Sequence, residues 1–189
     1  MNYNQQSLKF WRENWYKHTI PINDLKFPEG PKNINNMLNA VGQFSVRDIG
    51  CGYGRLAPLF NPENYKGFDI AAGAIAKAKM EKPGYEFFEW EFTELPFAYV
   101  TLLYVVMLHV DDTDLMPFCE LVSHNTKRIV IGDIMKRYLN FNVPLCVGRD
   151  EDDYINIFSS LGFTKSYSVE SLYPIYREPL TILVLDSDG

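Results

Sequence analysis

The sequence predicts an α/β fold built on a doubly wound, mostly parallel, seven-stranded sheet that closes with an antiparallel C-terminal hairpin strand. Three observations predict it. From residue 45 onward β-rich runs alternate with helical patterns, the alternation that builds a parallel sheet with helices on both faces. The run Val100–Leu108 (VTLLYVVML) is almost unbroken apolar and β-rich, as a central strand buried on both faces must be. The last two β-like runs, Phe163–Glu170 and Leu180–Asp186, are joined by a turn-rich link holding Pro174 and Pro179 rather than by a helix, so they pair as a hairpin.

The elements follow in order. Leu8, Trp11, Trp15 and His18 fall at three- and four-residue spacing, one face of a helix over Gln5–His18. Thr19–Lys32 carries three prolines and reads as a connecting arm before a short helix at Ile34–Val41. Ser45–Ile49 is a short strand, and Gly50, Gly52 and Gly54 follow it before a helix begins over Arg55–Phe60. Tyr65–Ile70 reads as the second strand, alanine-rich Ala71–Met80 as a strong helix, and Tyr85–Trp90 as the third strand. After the apolar fourth strand, Asp111, Asp112 and Thr113 can cap a helix that runs to Ser123. Lys127–Ile134 supplies the fifth strand, and Glu151–Leu161 a helix stopped at Gly162. The chain of 189 residues, 47% of them hydrophobic, has the length of one domain. Residues 1–44 are its helical cap and 45–189 its α/β core.

Composition excludes several roles. A formal charge of −6 argues against a surface made to neutralise many phosphates, so a nucleic-acid partner is not expected. Cys51, Cys119 and Cys146 form no CxxC pair and are odd in number, which indicates neither a disulfide framework nor a zinc knuckle and suits a reducing cytoplasm. No apolar run is long enough to span a bilayer, and MNYNQQSLKFWRENW lacks the continuous apolar segment of a signal peptide. The expectation is a soluble, unprocessed monomer or homodimer. No His/Asp/Glu cluster with ligand spacing appears, so no metal is expected.

The chemistry concentrates in Val46-Arg47-Asp48-Ile49-Gly50-Cys51-Gly52-Tyr53-Gly54. Glycine permits positive φ and lets a ligand lie against bare backbone at the carboxyl edge of the sheet. An acid ahead of the first glycine attracts an ammonium group and repels a pyrophosphate. The loop reads GxGxG rather than the GxGxxG of dinucleotide sites. Both features favour a cationic amino-acid ligand over a nicotinamide or flavin. The second strand, Tyr65-Lys66-Gly67-Phe68-Asp69-Ile70, also ends in an acid, placed where a carboxylate can hold both hydroxyls of a ribose.

At these residues the chain resembles the class I S-adenosylmethionine-dependent methyltransferases. Asp48–Gly54 is similar to their DxGxGxG loop and Asp69 to their ribose-binding acid. Glu91-Phe92-Thr93-Glu94-Leu95-Pro96-Phe97 resembles their D-a-x-x-L-P-F block, and Val106-Met107-Leu108-His109-Val110 their v-L-H-H-V segment. The resemblance runs from about Ser45 to the C-terminus. It implies a Rossmann-like methyltransferase fold with S-adenosyl-L-methionine as cofactor, bound by Asp48, Gly50, Cys51, Gly52, Arg55, Asp69, Ile70, Glu91, Phe92 and Val106. Three departures stand out: Glu91 replaces the usual Asp, Val100 replaces an acid at the start of the fourth strand, and one histidine stands where there are often two. Nothing matches the (N/D)PPY motif of enzymes that methylate exocyclic amino groups of DNA bases.

A sulfonium is an excellent leaving group, so transfer needs chiefly an aligned acceptor and a dry site. Where the acceptor carries a proton, His109 is the candidate base, the alternative being a histidine that packs at a strand end. His18 and His124 have weaker claims. Trp11, Trp15 and Tyr16 are candidate acceptor contacts on the N-terminal helix, whose Trp-x-x-x-Trp-x-x-x-Thr spacing is faintly similar to thiopurine-type methyltransferases; a plain core cap is the alternative. Trp90 is a core aromatic or an adenine stacker. Lys136, Arg137 and Tyr138, after the fifth strand, lie where this fold carries substrate recognition; the two cations are candidates to meet an acidic acceptor, and ordinary solvated charges are the equal alternative. The function expected is methyl transfer to a small molecule. An RNA or protein methyltransferase, or a non-catalytic S-adenosylmethionine-binding protein, is the alternative.

Overall fold

The structure is a computed structural model that describes residues 4–18, 30–139, 145–173 and 178–189, with side chains described except at 15–18, 30, 31 and 173. The strands are β1 (Val46–Ile49), β2 (Tyr65–Asp69), β3 (Glu86–Glu89), β4 (Ala98–Tyr104), β5 (Thr126–Asp133), β6 (Phe163–Tyr173) and β7 (Glu178–Ser187). The helices are α1 (Gln5–His18), α2 (Gly30–Val41), α3 (Ala72–Glu81), α4 (Asp112–Ser123) and α5 (Glu151–Ser160). The seven strands form one sheet in the order β3-β2-β1-β4-β5-β7-β6. Strands β1 to β5 pair in parallel, and β7 inserts antiparallel between β5 and β6. This is the doubly wound sheet with a closing hairpin that the sequence predicts.

Strand β4 has its alternate side chains divided between two cores: Val100, Leu102 and Tyr104 face one, Leu103 the other. The first core is completed by Met37, Ala40 and Val41 of α2 and Ile75 and Ala78 of α3. The second takes Leu115, Phe118 and Val122 of α4 and Tyr154 and Phe158 of α5. Covering both faces is what keeps a parallel sheet dry. The strand order reverses between β1 and β4, which opens a crevice at their carboxyl ends, the place where open α/β sheets bind ligands.

Three expectations need correction. No α-helix forms over Arg55–Phe60: Gly54 N donates to Cys51 O (3.0 Å) and Ala57 N to Gly54 O (3.1 Å), and such i→i+3 bonds wind turns ending in a single 3-10 segment, Ala57–Leu59. Strand β4 stops at Tyr104 instead of Leu108, because Val105 adopts φ 60, a left-handed conformation in which a β-branched residue cannot continue a strand. The chain then folds into a 3-10 turn, Met107–His109. Helix α2 begins at Gly30, so 30–32 belong to it; the rest of the expected arm, 19–29, lies outside the described residues.

Candidate active site

The glycine loop occupies the crevice. Gly50, Gly52 and Gly54 have φ of 72°, 57° and 72°, conformations an L side chain resists. At Gly50 a Cβ would also lie 2.6 Å from Val106 Cγ2. That contact fastens the loop to the segment after β4, and His109 N donates back to Val106 O (2.9 Å). The first glycine and the candidate base are thus one turn apart.

Two strand-ending acids converge on the loop from different sides. Asp69 is its neighbour: Oδ2 accepts from Gly52 N at 2.8 Å and Oδ1 from Ala71 N at 2.8 Å. Burial raises its pKa, and the backbone amides pull it partly back. Asp48 lies beneath the loop, 2% exposed, with Oδ2 accepting from the Tyr65 hydroxyl at 2.6 Å. Burial pushes its carboxyl up to about 7, opposed by the Tyr65 bond and the charge of Arg55, while Asp69 adds to the rise. Arg55 is half-buried, its guanidinium carbon 5.4 Å from the Tyr104 ring centre. Cys51 is buried, and burial raises its thiol well above the ordinary value. Ile70 follows Asp69, half-buried. Beyond β3, Glu91 is exposed, 4.0 Å from Arg12, and Phe92 takes φ 58 beside Trp90 at 4.9 Å between ring centres. Trp90 is 3% exposed and donates Nε1–H to Thr93 O, which makes it a core aromatic.

The Asp48 carboxyl has a consequence for stability. Its ordinary value is 3.8, so between about 4 and 7 the folded chain holds a proton the unfolded chain has lost, and stability falls as pH rises through that window. Buried Asp133, also pushed up to about 7 by burial, acts in the same direction. The variant Asp48→Asn is expected to keep more of its pH 5 stability at pH 8 than the unaltered chain does. Urea unfolding at the two pH values measures this, and an equal loss of stability from pH 5 to pH 8 in both chains would refute it.

His109 sits in a turn whose backbone is held from several directions. Leu108 N donates to Asp133 Oδ2 (3.0 Å), and Val147 N donates to Leu108 O (2.7 Å). Arg149 donates Nη1–H to Met107 O (3.0 Å) and Nη2–H to Val110 O (2.7 Å), and pairs with Asp112. The Cys146 sulfur lies 3.4 Å from His109 Nδ1, and the Trp11 ring lies over the imidazole with centres 4.3 Å apart. Helix α1 is tied down at its start, where Asn4 N donates to Asp114 Oδ2 (2.7 Å). The backbone of Trp15 and Tyr16 belongs to α1; their side chains lie outside the described residues.

The structure brings Trp11 to His109, and it packs the backbone of Lys136 and Arg137 on the segment after Val147, where a Cβ on Gly148 would meet their carbonyl oxygens at 2.6 and 2.3 Å. Both cations have carboxylate partners: Lys136 Nζ lies 2.5 Å from Glu178 Oε2, and Arg137 pairs with Asp150 (2.9 Å) and Asp153 (3.0 Å). Tyr138 is 83% exposed. Sequence reasoning missed Asp133, Cys146 and Arg149. Asp133 ends an apolar strand just as Asp48 and Asp69 do, so the same signal was there; nothing local marks the other two. Among the described residues no group of three or more His, Cys, Asp or Glu is placed to hold a metal ion, and no helix is long and apolar enough to cross a membrane.

The sheet order and the crevice define the fold of class I S-adenosylmethionine-dependent methyltransferases. Solved structures share it over the whole chain. Magnesium protoporphyrin IX methyltransferase from Synechocystis PCC 6803, with S-adenosylmethionine bound, is 13% identical with a TM-score of 0.73, covering 100% of both chains. The Burkholderia thailandensis 1,6-didemethyltoxoflavin-N1-methyltransferase, holding its substrate and S-adenosylhomocysteine, is 13% identical with a TM-score of 0.72 over 100% of this chain and 92% of that one. The [4+2]-cyclase SpnF is 12% identical with a TM-score of 0.67, over 84% of this chain and 81% of that one. No protein-family model and no curated protein matches the sequence.

Proposed function

We propose that this chain is an S-adenosylmethionine-dependent methyltransferase acting on a small-molecule acceptor in a reducing cytoplasm, with 1–44 capping the α/β core of 45–189 in one domain. The observation that carries the proposal is the convergence of Asp48 and Asp69 on a positive-φ glycine loop at the reversal of strand order. The residues fit the cofactor. Asp69, already fixed by two backbone amides, accepts from the ribose hydroxyls. The bare backbone of Gly50 and Gly52 takes the methionine part, and buried Asp48 supplies negative potential beneath its ammonium. Glu91 and Phe92 meet the adenine, with Val106 lining the mouth. The cofactor supplies an electrophilic methyl on a positively charged sulfur.

The chain's own work is to hold the acceptor, exclude water and take a proton. The His109 tautomer with Nδ1–H directed to the Cys146 sulfur puts the basic lone pair on Nε2, which receives the acceptor's proton. Trp11 and Tyr138 contact the acceptor as α1 covers the mouth; Trp15 and Tyr16 remain candidates from the sequence alone. The similar structures that hold S-adenosylmethionine or S-adenosylhomocysteine support this reading. The pairing of Lys136, Arg137 and Arg128 with carboxylates argues against RNA as the acceptor. That the same fold is found in a [4+2]-cyclase supports one second reading, a chain of this fold that does not transfer a methyl group.

Calorimetric titration with S-adenosylmethionine, S-adenosylhomocysteine and, as control, NADH tests the reading. Binding of the first two alone is expected, and NADH binding in their place would refute it. Release of S-adenosylhomocysteine during turnover with an acceptor separates the two readings. In the same titration Asp69→Ala is expected to weaken cofactor binding by about 1–3 kcal/mol, the range for a hydrogen bond to a charged group. Unchanged affinity in a folded Asp69→Ala variant would remove Asp69 from the ribose.

A further inference from the structure

The acceptor side of the mouth has a charge pattern that the sequence does not reveal. Four described cations at this end of the sheet have carboxylate partners: Lys136 has Glu178, Arg137 has Asp150 and Asp153, Arg149 has Asp112, and Arg12 stands 4.0 Å from Glu91. Asp111 adds a further carboxylate at the start of α4, where Asn4, just ahead of α1, meets it. Among these described residues carboxylates therefore outnumber cations, and an anionic acceptor would enter a field of its own sign. On the side facing α1, His109 meets an aromatic ring. Trp11 lies on the imidazole, and Phe10 stands edge-on to Trp11 at 5.2 Å. Leu8, Met135, Val106 and Val110 all pack against the second core.

Resting on the methyl-transfer reading, we propose that the acceptor is an uncharged planar aromatic molecule bearing a hydroxyl or ring N–H, and that the Lys136–Glu178 pair is what turns carboxylate-bearing aromatics away. Aromatic rings gain from stacking and edge contacts on Trp11, and a neutral ring loses little hydration on entering. In the transfer the acceptor oxygen or nitrogen forms its bond to the methyl carbon. The carbon–sulfur bond breaks with its electron pair staying on sulfur, and the acceptor's proton passes to His109 Nε2. The sulfonium becomes a neutral thioether, so no co-reactant is needed. Glu178 reaches this role from β7, far along the chain from Lys136. It is 7% exposed, so the partner that cancels Lys136 is built into the fold.

The test is titration of the chain saturated with S-adenosylhomocysteine with 2-naphthol and with 2-naphthoate, which share a ring system and differ in charge. We expect 2-naphthol to bind at least tenfold more tightly. In Glu178→Gln, where Lys136 loses its carboxylate, the preference is expected to shrink at least threefold. The comparison on the unaltered chain decides the matter even if Glu178→Gln does not fold. Equal or tighter binding of 2-naphthoate there, or binding of neither probe, overturns this proposal alone. Failure of S-adenosylhomocysteine to bind overturns the methyl-transfer reading and this proposal with it.

Discussion

Alanine at position 109 is expected to slow methyl transfer by a factor of about 10²–10⁴, the usual contribution of a positioned base, while leaving S-adenosylhomocysteine affinity unchanged. The separation of the two effects follows from the way the turn is built. Its backbone is gripped by Asp133, Val147 and Arg149, so removing the imidazole leaves the Val106–Gly50 contact and the glycine loop in place. The cost falls on proton removal and on the ring that Trp11 covers. His109→Gln separates these two costs, since glutamine retains bulk under Trp11 and takes no proton at neutral pH. Rates of S-adenosylhomocysteine release with an acceptor found by screening give the answer. If His109→Ala raises KM and spares kcat, the residue packs the acceptor and is not its base.

The legible part of this protein is the part written in local sequence. Strand-ending acids, glycines at alternate positions and an apolar central strand each have a local physical cause, and β1, β2, β5 and the hairpin lie where those signals put them. The end of β4 was not legible. Residues Val105 to Leu108 are as β-prone as those before them, and only the tertiary environment, with Val105 N donating to Gly132 O (2.7 Å), holds Val105 at a positive φ. The missing helix after the glycine loop has a similar cause, because successive i→i+3 bonds from Gly54 onward commit the chain to tight turns before four-residue spacing can start.

Side-chain partners were less legible still. Lys136 and Arg137 have the sequence appearance of cations offered to an acidic substrate, yet Glu178 and Asp153 lie well along the chain and reach them only once β7 and α5 are in place. Their pairing removes the ground for reading them as cations offered to an acidic acceptor. Asp48 changes meaning for the same reason. As a sequence feature it is an acid facing a ligand, whereas in the fold it is covered and bonded to Tyr65, acting on the ligand through a short stretch of low dielectric.

Arg47 is the residue whose weight the sequence most conceals, and Arg47→Ala is expected to destabilise the fold by about 3–5 kcal/mol, combining orphaned buried acceptors with a cavity. It alternates with Val46 and Asp48 on β1 and is 1% exposed on the α4 side of the sheet. Burial lowers its pKa to about 10, so it remains charged at neutral pH. Its Nε–H donates to Thr101 Oγ1 (2.7 Å), Nη1–H to Pro96 O (3.0 Å), and Nη2–H to Val122 O (2.7 Å) and His124 O (2.5 Å). One side chain thereby ties β1 to β4, to the end of α4 and to the segment leading into β4. Val122 O keeps the Thr101 hydroxyl as a donor (3.1 Å) after the substitution, so Pro96 O and His124 O are the acceptors left wanting. Relief of the buried charge offsets part of the loss, which is why the expectation stays below the sum of the separate costs. Arg47→Met keeps most of the volume and none of the donors, so the difference between the two variants isolates the cavity. Urea midpoints at constant m measure both, and a loss below about 1 kcal/mol for Arg47→Ala would mean that water replaces the guanidinium at these carbonyls.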